Sequence, residues 1–127
     1  MLKDKLIELL ENLEFNDHSF FYLESCRTII QALLLIDEKK IREDSDAKIQ
    51  NDGTFEVRVI SQTLNQINVY ISIFKDAVID IQVDRGGEYL YLQGINSDED
   101  LIKLRETFND LLSKKIETNY FLSLIHI

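Results

Sequence analysis

The chain has no proline and no tryptophan, only four glycines and one cysteine. A single thiol, Cys26, cannot close an internal disulfide, so cysteine usage gives no support to an oxidising compartment. Two histidines, His18 and His126, beside one cysteine are too few for a zinc set. The glycines, Gly53, Gly86, Gly87 and Gly94, read as turn glycines between strands, and none stands in the spacing of a phosphate loop. No apolar run approaches the ~20 residues that a membrane helix needs. Met1-Leu2-Lys3-Asp4 leads straight into an amphipathic pattern, so no secretory signal is expected and the cytoplasm is the expected location. Positive charge is scarce as well: 14 Lys and Arg face 23 Asp and Glu, a net charge of −9. Affinity for a phosphate backbone comes mainly from Lys and Arg, so nucleic acid is a poor candidate partner. An acidic surface instead speeds encounter with a basic protein and keeps the free chain soluble.

What is present is an ordinary globular balance, 45% hydrophobic and 29% charged over 127 residues, enough for one core and one domain. Residues 2–14 place Leu2, Leu6, Leu9, Leu10 and Leu13 at helical spacing with Lys and Glu between them, which predicts a short amphipathic helix. Asn16 and Asp17 offer turn and cap chemistry before a second helical stretch from about Ser19 to Arg42. Its stripe of Leu23, Cys26, Ile29, Ile30, Leu33 and Leu34 marks it as the buried helix, with Cys26 a small core hydrophobe. Residues 44–53 read as a polar connector ending on the Asp52-Gly53 turn pair.

The period then drops from 3.6 to 2. TFEVRVI, QINVYISIF, AVIDIQVD and EYLYLQG alternate apolar and polar residues and are joined by tight links, which predicts an antiparallel meander with one buried face. Ser97-Asp98-Glu99-Asp100 then starts a final helix, with Ser97 able to cap the amide three residues on and Asp100 able to reach back. Its stripe of Leu101, Leu104, Phe108, Leu111 and Leu112 runs to about Ile116. The expected fold is a two-layer α+β sandwich: a four-stranded antiparallel meander with helices packed on one face, order ααββββα, forming a single domain over residues 1–121.

The alternation also sorts the candidate site residues. Asp80 and Asp84 share a face of the third run, with Glu56 on the same side; such carboxylates can hold a divalent cation or act as an acid/base pair, or are simply the wet side of a one-sided sheet. Tyr70, Phe74, Tyr89 and Tyr91 fall outward among them. An exposed sheet with rings among carboxylates and one arginine has the make-up of a binding surface, because tyrosine supplies contact area with few rotors and a polar tip. Cross-strand ring pairing, or cover by another segment, is the alternative. Nothing implies a cofactor, a metal or a nucleophilic site.

The closing residues Leu122 to Ile127 read LSLIHI. The transposon-end adapter of short-read library preparation, translated in frame, gives the same Leu-Ser-Leu-Ile-His-Ile. Residues 122–127 are therefore expected to be a non-native tail, with the native protein running on past Phe121.

The central stretch FEVRVISQTLNQINVYISIFKDAVIDIQVDRGGEYLYL resembles an uncharacterised domain of phage and mobile-element proteins, the domain of unknown function numbered eighteen twenty-eight. Ile67-Asn68-Val69-Tyr70-Ile71 fills the place of that family's I-x-V-Y-I strand, and Asp84-Arg85-Gly86-Gly87-Glu88 that of its Asp-x-Gly turn. Ser61-Gln62-Thr63 stands where the family carries proline. The resemblance implies the N-terminal domain of a longer mobile-element protein, with a nuclease-like activity among the readings. In size, charge and element order the chain is also similar to the small acidic immunity proteins that neutralise bacterial toxins. That likeness implies a non-enzymatic module whose face of Glu56, Tyr70, Phe74, Asp80, Asp84, Tyr89 and Tyr91 engages a basic partner, a toxin among the candidates. A homodimer is the other partner reading.

Overall fold

A computed structural model of the chain describes residues 1–13, 19–62, 68–83, 88–92 and 94–112, with the backbone alone at 88–92. Helix α1 spans Leu2–Asn12, buries Leu2 and Leu6 one turn apart, and rests Leu9 and Leu10 half-buried on the same core. Helix α2, Phe20–Leu34, starts where the Ser19 hydroxyl accepts the Tyr22 amide at 3.4 Å. The cap is thus Ser19 itself; Asn16 and Asp17 lie outside the described residues.

The second helix ends earlier than its apolar pattern suggests, at Leu34 rather than near Arg42. The amides of Leu35 and Ile36 turn back three residues, to Ala32 and Leu33. The Asp37 carboxylate then accepts the Lys39 amide at 3.0 Å and starts a 3-10 turn over Glu38–Lys40. A short acid that bonds its own backbone competes with the helix ladder, and the break lets both Ile36 and Ile41 reach the core.

The order of elements is the expected α+β one, and the sheet is an antiparallel meander in which every strand pairs with its neighbour in the chain. Strands β2 (Phe55–Ile60), β3 (Asn68–Ile73), β4 (Ile79–Val83) and β5 (Glu88–Leu92) are the four expected runs. A further edge strand, β1 (Asp46–Ile49), forms inside the segment read as a connector and pairs with β2. Its composition is polar, yet Ala47 and Ile49 alternate with Asp46 and Lys48, which is all that an edge strand over a core requires. Ser45 prepares it: buried, its hydroxyl accepts the Ile60 amide at 2.9 Å and so supplies a rung that the backbone does not. The turn from β1 to β2 closes on Gly53 at φ 90°, where a side chain would be strained. The turn from β3 to β4 places Ala77 at φ 63°, with its carbonyl accepting the Ile95 amide at 3.0 Å.

Pleating sorts the strands into two faces. Phe55, Val57 and Val59 of β2, Val69, Ile71 and Ile73 of β3, and Ile79, Ile81 and Val83 of β4 are all buried on one of them. Helix α1 packs on β1 and α2, and α2 packs on β3 and on α3, Asp98–Leu112. From α3 come Leu104, Phe108 and Leu112, three buried residues at helical spacing. Among the described residues, the helices and the aliphatic face share one core of 26 buried residues. Among the described residues no helix is long and apolar enough to cross a membrane.

Candidate functional site: the open face of the sheet

The other face carries two rows across the strands. Lys48, Glu56, Ser72 and Asp80 stand opposite one another in turn, and Asp80 pairs with Tyr91. The neighbouring row runs Asp46, Arg58, Tyr70, Gln82 and then Tyr89. Tyr89 and Tyr91 therefore stand in register with the face, although only their backbone is described. Phe74 lies one residue beyond β3 in the hairpin rather than in the strand, and is 39% exposed. Asp84 falls outside the described residues. Of the seven residues expected to form the surface, the structure thus brings together Glu56, Tyr70 and Asp80, with Phe74 at one end of β3.

Sequence reasoning missed Asp46 and Lys48, because their strand was read as a connector. With them the face has three carboxylates (Asp46, Glu56 and Asp80) and two cations (Lys48 and Arg58), so it is a mixed-charge surface rather than a purely acidic one. A hollow of about 440 Å³ is sunk into it, rimmed by Lys48, Glu56, Arg58, Tyr70, Ser72 and Gln82. That volume lies within the usual small-ligand range, but such sites are mostly apolar and enclosed. This one is polar and open, a better match to a surface that meets another surface.

Local contacts fix several of these groups. Tyr70 is 37% exposed, and its hydroxyl accepts from the Asn68 amide at 3.2 Å, which holds the ring over the face. One Arg58 nitrogen donates to the Asp44 carbonyl at 2.8 Å. Asp46 bonds Lys5 at 3.1 Å, tying the edge strand to α1. Slight desolvation pushes the Asp46 carboxyl up, but hydrogen bonds from Lys5 and the Ala47 amide and the charges of Lys5 and Lys48 prevail, holding it below the usual carboxylate range. Asp80 is half-buried, and its Oδ1 is shielded from solvent with no donor among the described residues. A shielded carboxylate oxygen without a donor is costly.

Elsewhere, reactive groups are inert or structural. Cys26 is fully buried, and burial pushes its thiol up to about 12 against the lowering effect of its hydrogen-bond contact with Tyr22. A thiol so held is not a nucleophile at neutral pH. Burial, and then the neighbouring Cys26, likewise raises the Tyr22 phenol above its ordinary range; its hydroxyl donates to the Gly53 carbonyl. The acids at the start of α3 are cap residues. Ser97 accepts the Asp100 amide at 3.2 Å, and Asp100 reaches back to the Asn96 amide at 3.1 Å. Among the described residues no three His, Cys, Asp or Glu side chains are grouped so as to hold a metal ion. His18 and His126 lie outside them. No protein-family model, curated protein or solved structure matches the chain.

Proposed function

We propose that this protein is a non-enzymatic interaction module of the immunity or inhibitor type, bacterial or mobile-element in origin, that engages a basic protein partner through the open face of its sheet. The observation that carries this reading is the uncovered face itself. Tyr70 stands exposed among Glu56 and Asp80, and an Asp80 oxygen has no donor among the described residues. The net charge of −9 favours encounter with a basic surface. Tyrosine at the centre of an interface is a frequent anchor, and a partner's Arg or Lys is the natural counter-ion for the carboxylates of Glu56 and Asp80.

Size decides how far the interface extends. Five strands ~4.8 Å apart and about five residues long present on the order of 300 Å². A stable complex buries about 800 Å² on each partner. The contact therefore reaches beyond the strands, and the exposed Phe74 at the β3–β4 turn is the nearest ring to extend it.

The test is capture by the immobilised wild-type chain set against Tyr70→Ala and Glu56→Lys. The expected partner has a basic surface, and each substitution is expected to weaken its retention about tenfold or more, while the melting temperature moves by less than about 2 °C. Undiminished capture by both variants, or weakening only in step with lost stability, refutes the proposal.

A further inference from the structure

Two opposite-charge pairs face each other across β1 and β2, and neither is made. Lys48 is the register partner of Glu56, and Asp46 that of Arg58. Opposite charges so placed ordinarily attract and support the sheet. Here the Asp46 carboxylate turns to Lys5 at 3.1 Å, and Arg58 donates to the Asp44 carbonyl at 2.8 Å. Among the described residues Lys48 and Glu56 form no close ion pair with each other or with any other group, the Lys48 charge acting on Asp46 only at longer range. Lys48, Glu56 and Arg58 instead rim the hollow of about 440 Å³, with Tyr70 between the arginine and Gln82. Two strands further on, the Asp80 oxygen lacks a donor among the described residues.

The charges alternate across the edge pair of strands, Lys48 opposite Glu56 and Arg58 opposite Asp46, and Asp80 sits apart from them on β4, across the Ser72 position of β3. A uniformly basic epitope laid over this surface meets Glu56 and Asp80 favourably, but it also meets Lys48 and Arg58, where like charges repel. An epitope with a basic side chain over Glu56 and Asp80 and an acidic one over Lys48 and Arg58 satisfies all four. Arginine in particular can take a carboxylate with two parallel hydrogen bonds.

We infer that Lys48 and Arg58 are binding residues that read an acidic side chain of the partner, so that the open face recognises a mixed-charge epitope on an otherwise basic protein. The inference rests on the functional reading above and sharpens it. The cations give specificity, since a partner lacking the acidic group leaves them unpaired or opposed.

The test uses two blocked, extended peptides of equal length around a central tyrosine, one carrying arginine on one side and glutamate on the other, the second carrying arginine throughout. Each is titrated into the 15N-labelled full chain, and amide shifts are followed. The mixed peptide is expected to shift the amides of Lys48, Glu56, Arg58 and Tyr70 and to bind about two- to tenfold more tightly than the all-arginine peptide, the range for one or two exposed ion pairs. Joint Lys48→Glu and Arg58→Glu substitution is expected to reverse that order. Should this variant unfold, Lys48→Ala with Arg58→Gln is expected to abolish the preference instead. Equal or tighter binding of the all-arginine peptide to the wild-type chain overturns this inference and leaves the basic-partner reading standing. If neither peptide shifts the sheet-face amides, both fall.

Discussion

Tyr22→Phe is the most informative single change to the fold. Tyr22 is fully buried in the first turn of α2, and its hydroxyl donates to the carbonyl of Gly53, in the turn between β1 and β2. Phenylalanine keeps the ring and its packing, so the loss is confined to one oxygen and its proton. What remains is the Gly53 carbonyl, itself buried, with its donor removed. A net hydrogen bond contributes ~1 kcal/mol, but a buried acceptor left unsatisfied costs about 1–3 kcal/mol. Because Gly53 is itself buried, although its neighbours Asn51 and Asp52 are exposed, the middle of that range applies, and we expect a loss of about 2 kcal/mol. For a domain of this size that corresponds to a fall in melting temperature of roughly 5–10 °C. Guanidinium denaturation at neutral pH measures it directly, with an unchanged slope showing that the denatured state is not the cause. A loss below about 0.5 kcal/mol would mean that the hydroxyl does not tether α2 to the first hairpin, and the account of how β1 is held would fail.

Three further outcomes follow from neighbouring contacts. Folding raises the Cys26 pKa from 9.0 to about 12, so its contribution is complete below pH 9 and is lost as pH rises towards 12; we expect stability to fall by up to about 1.4 kcal/mol per pH unit in that window, and Cys26→Ala to flatten the decline in alkaline denaturation. Ser45→Ala removes the acceptor of the Ile60 amide and is expected to cost about 1–2 kcal/mol, with faster hydrogen exchange across residues 46–49. The Asp46 pKa is lowered in the folded chain, so the Lys5–Asp46 contact contributes above the ordinary carboxylate range and is lost as pH falls through it. Both groups are well exposed, and Lys5→Ala is expected to cost under about 1 kcal/mol at pH 7 and nothing at pH 2, as read by urea midpoints.

The parts of the fold legible in the sequence are those where period and burial agree. Val69, Ile71 and Ile73 announce a one-sided strand, and Ser97 with Asp100 announces the α3 cap, because each signal is local and nothing distant overrides it. The edge strand was hidden by composition. DAKI has one strongly apolar residue, and its pairing depends on Ser45 and Ile60, which are 15 positions apart. The end of α2 was hidden for the reverse reason: the apolar run continues past Leu34, but Leu35 points to solvent and Ile36 reaches the core from a different backbone path. The same two errors shaped the view of the site. Glu56, Tyr70 and Asp80 were visible from alternation alone, whereas Lys48 and Asp46 joined the face only once β1 joined the sheet.

The sequential order of the strands has a consequence for how the chain is made. Each strand's partner has already been synthesised when it emerges, so the sheet can lengthen by one hairpin at a time and never waits for a distant segment. The aliphatic underside stays half-roofed until α3 arrives with Phe108 and Leu112. Cutting the gene between β5 and α3 should therefore leave a chain that pairs its strands, binds hydrophobic dyes and sticks to itself, because the last helix closes what the hairpins have built.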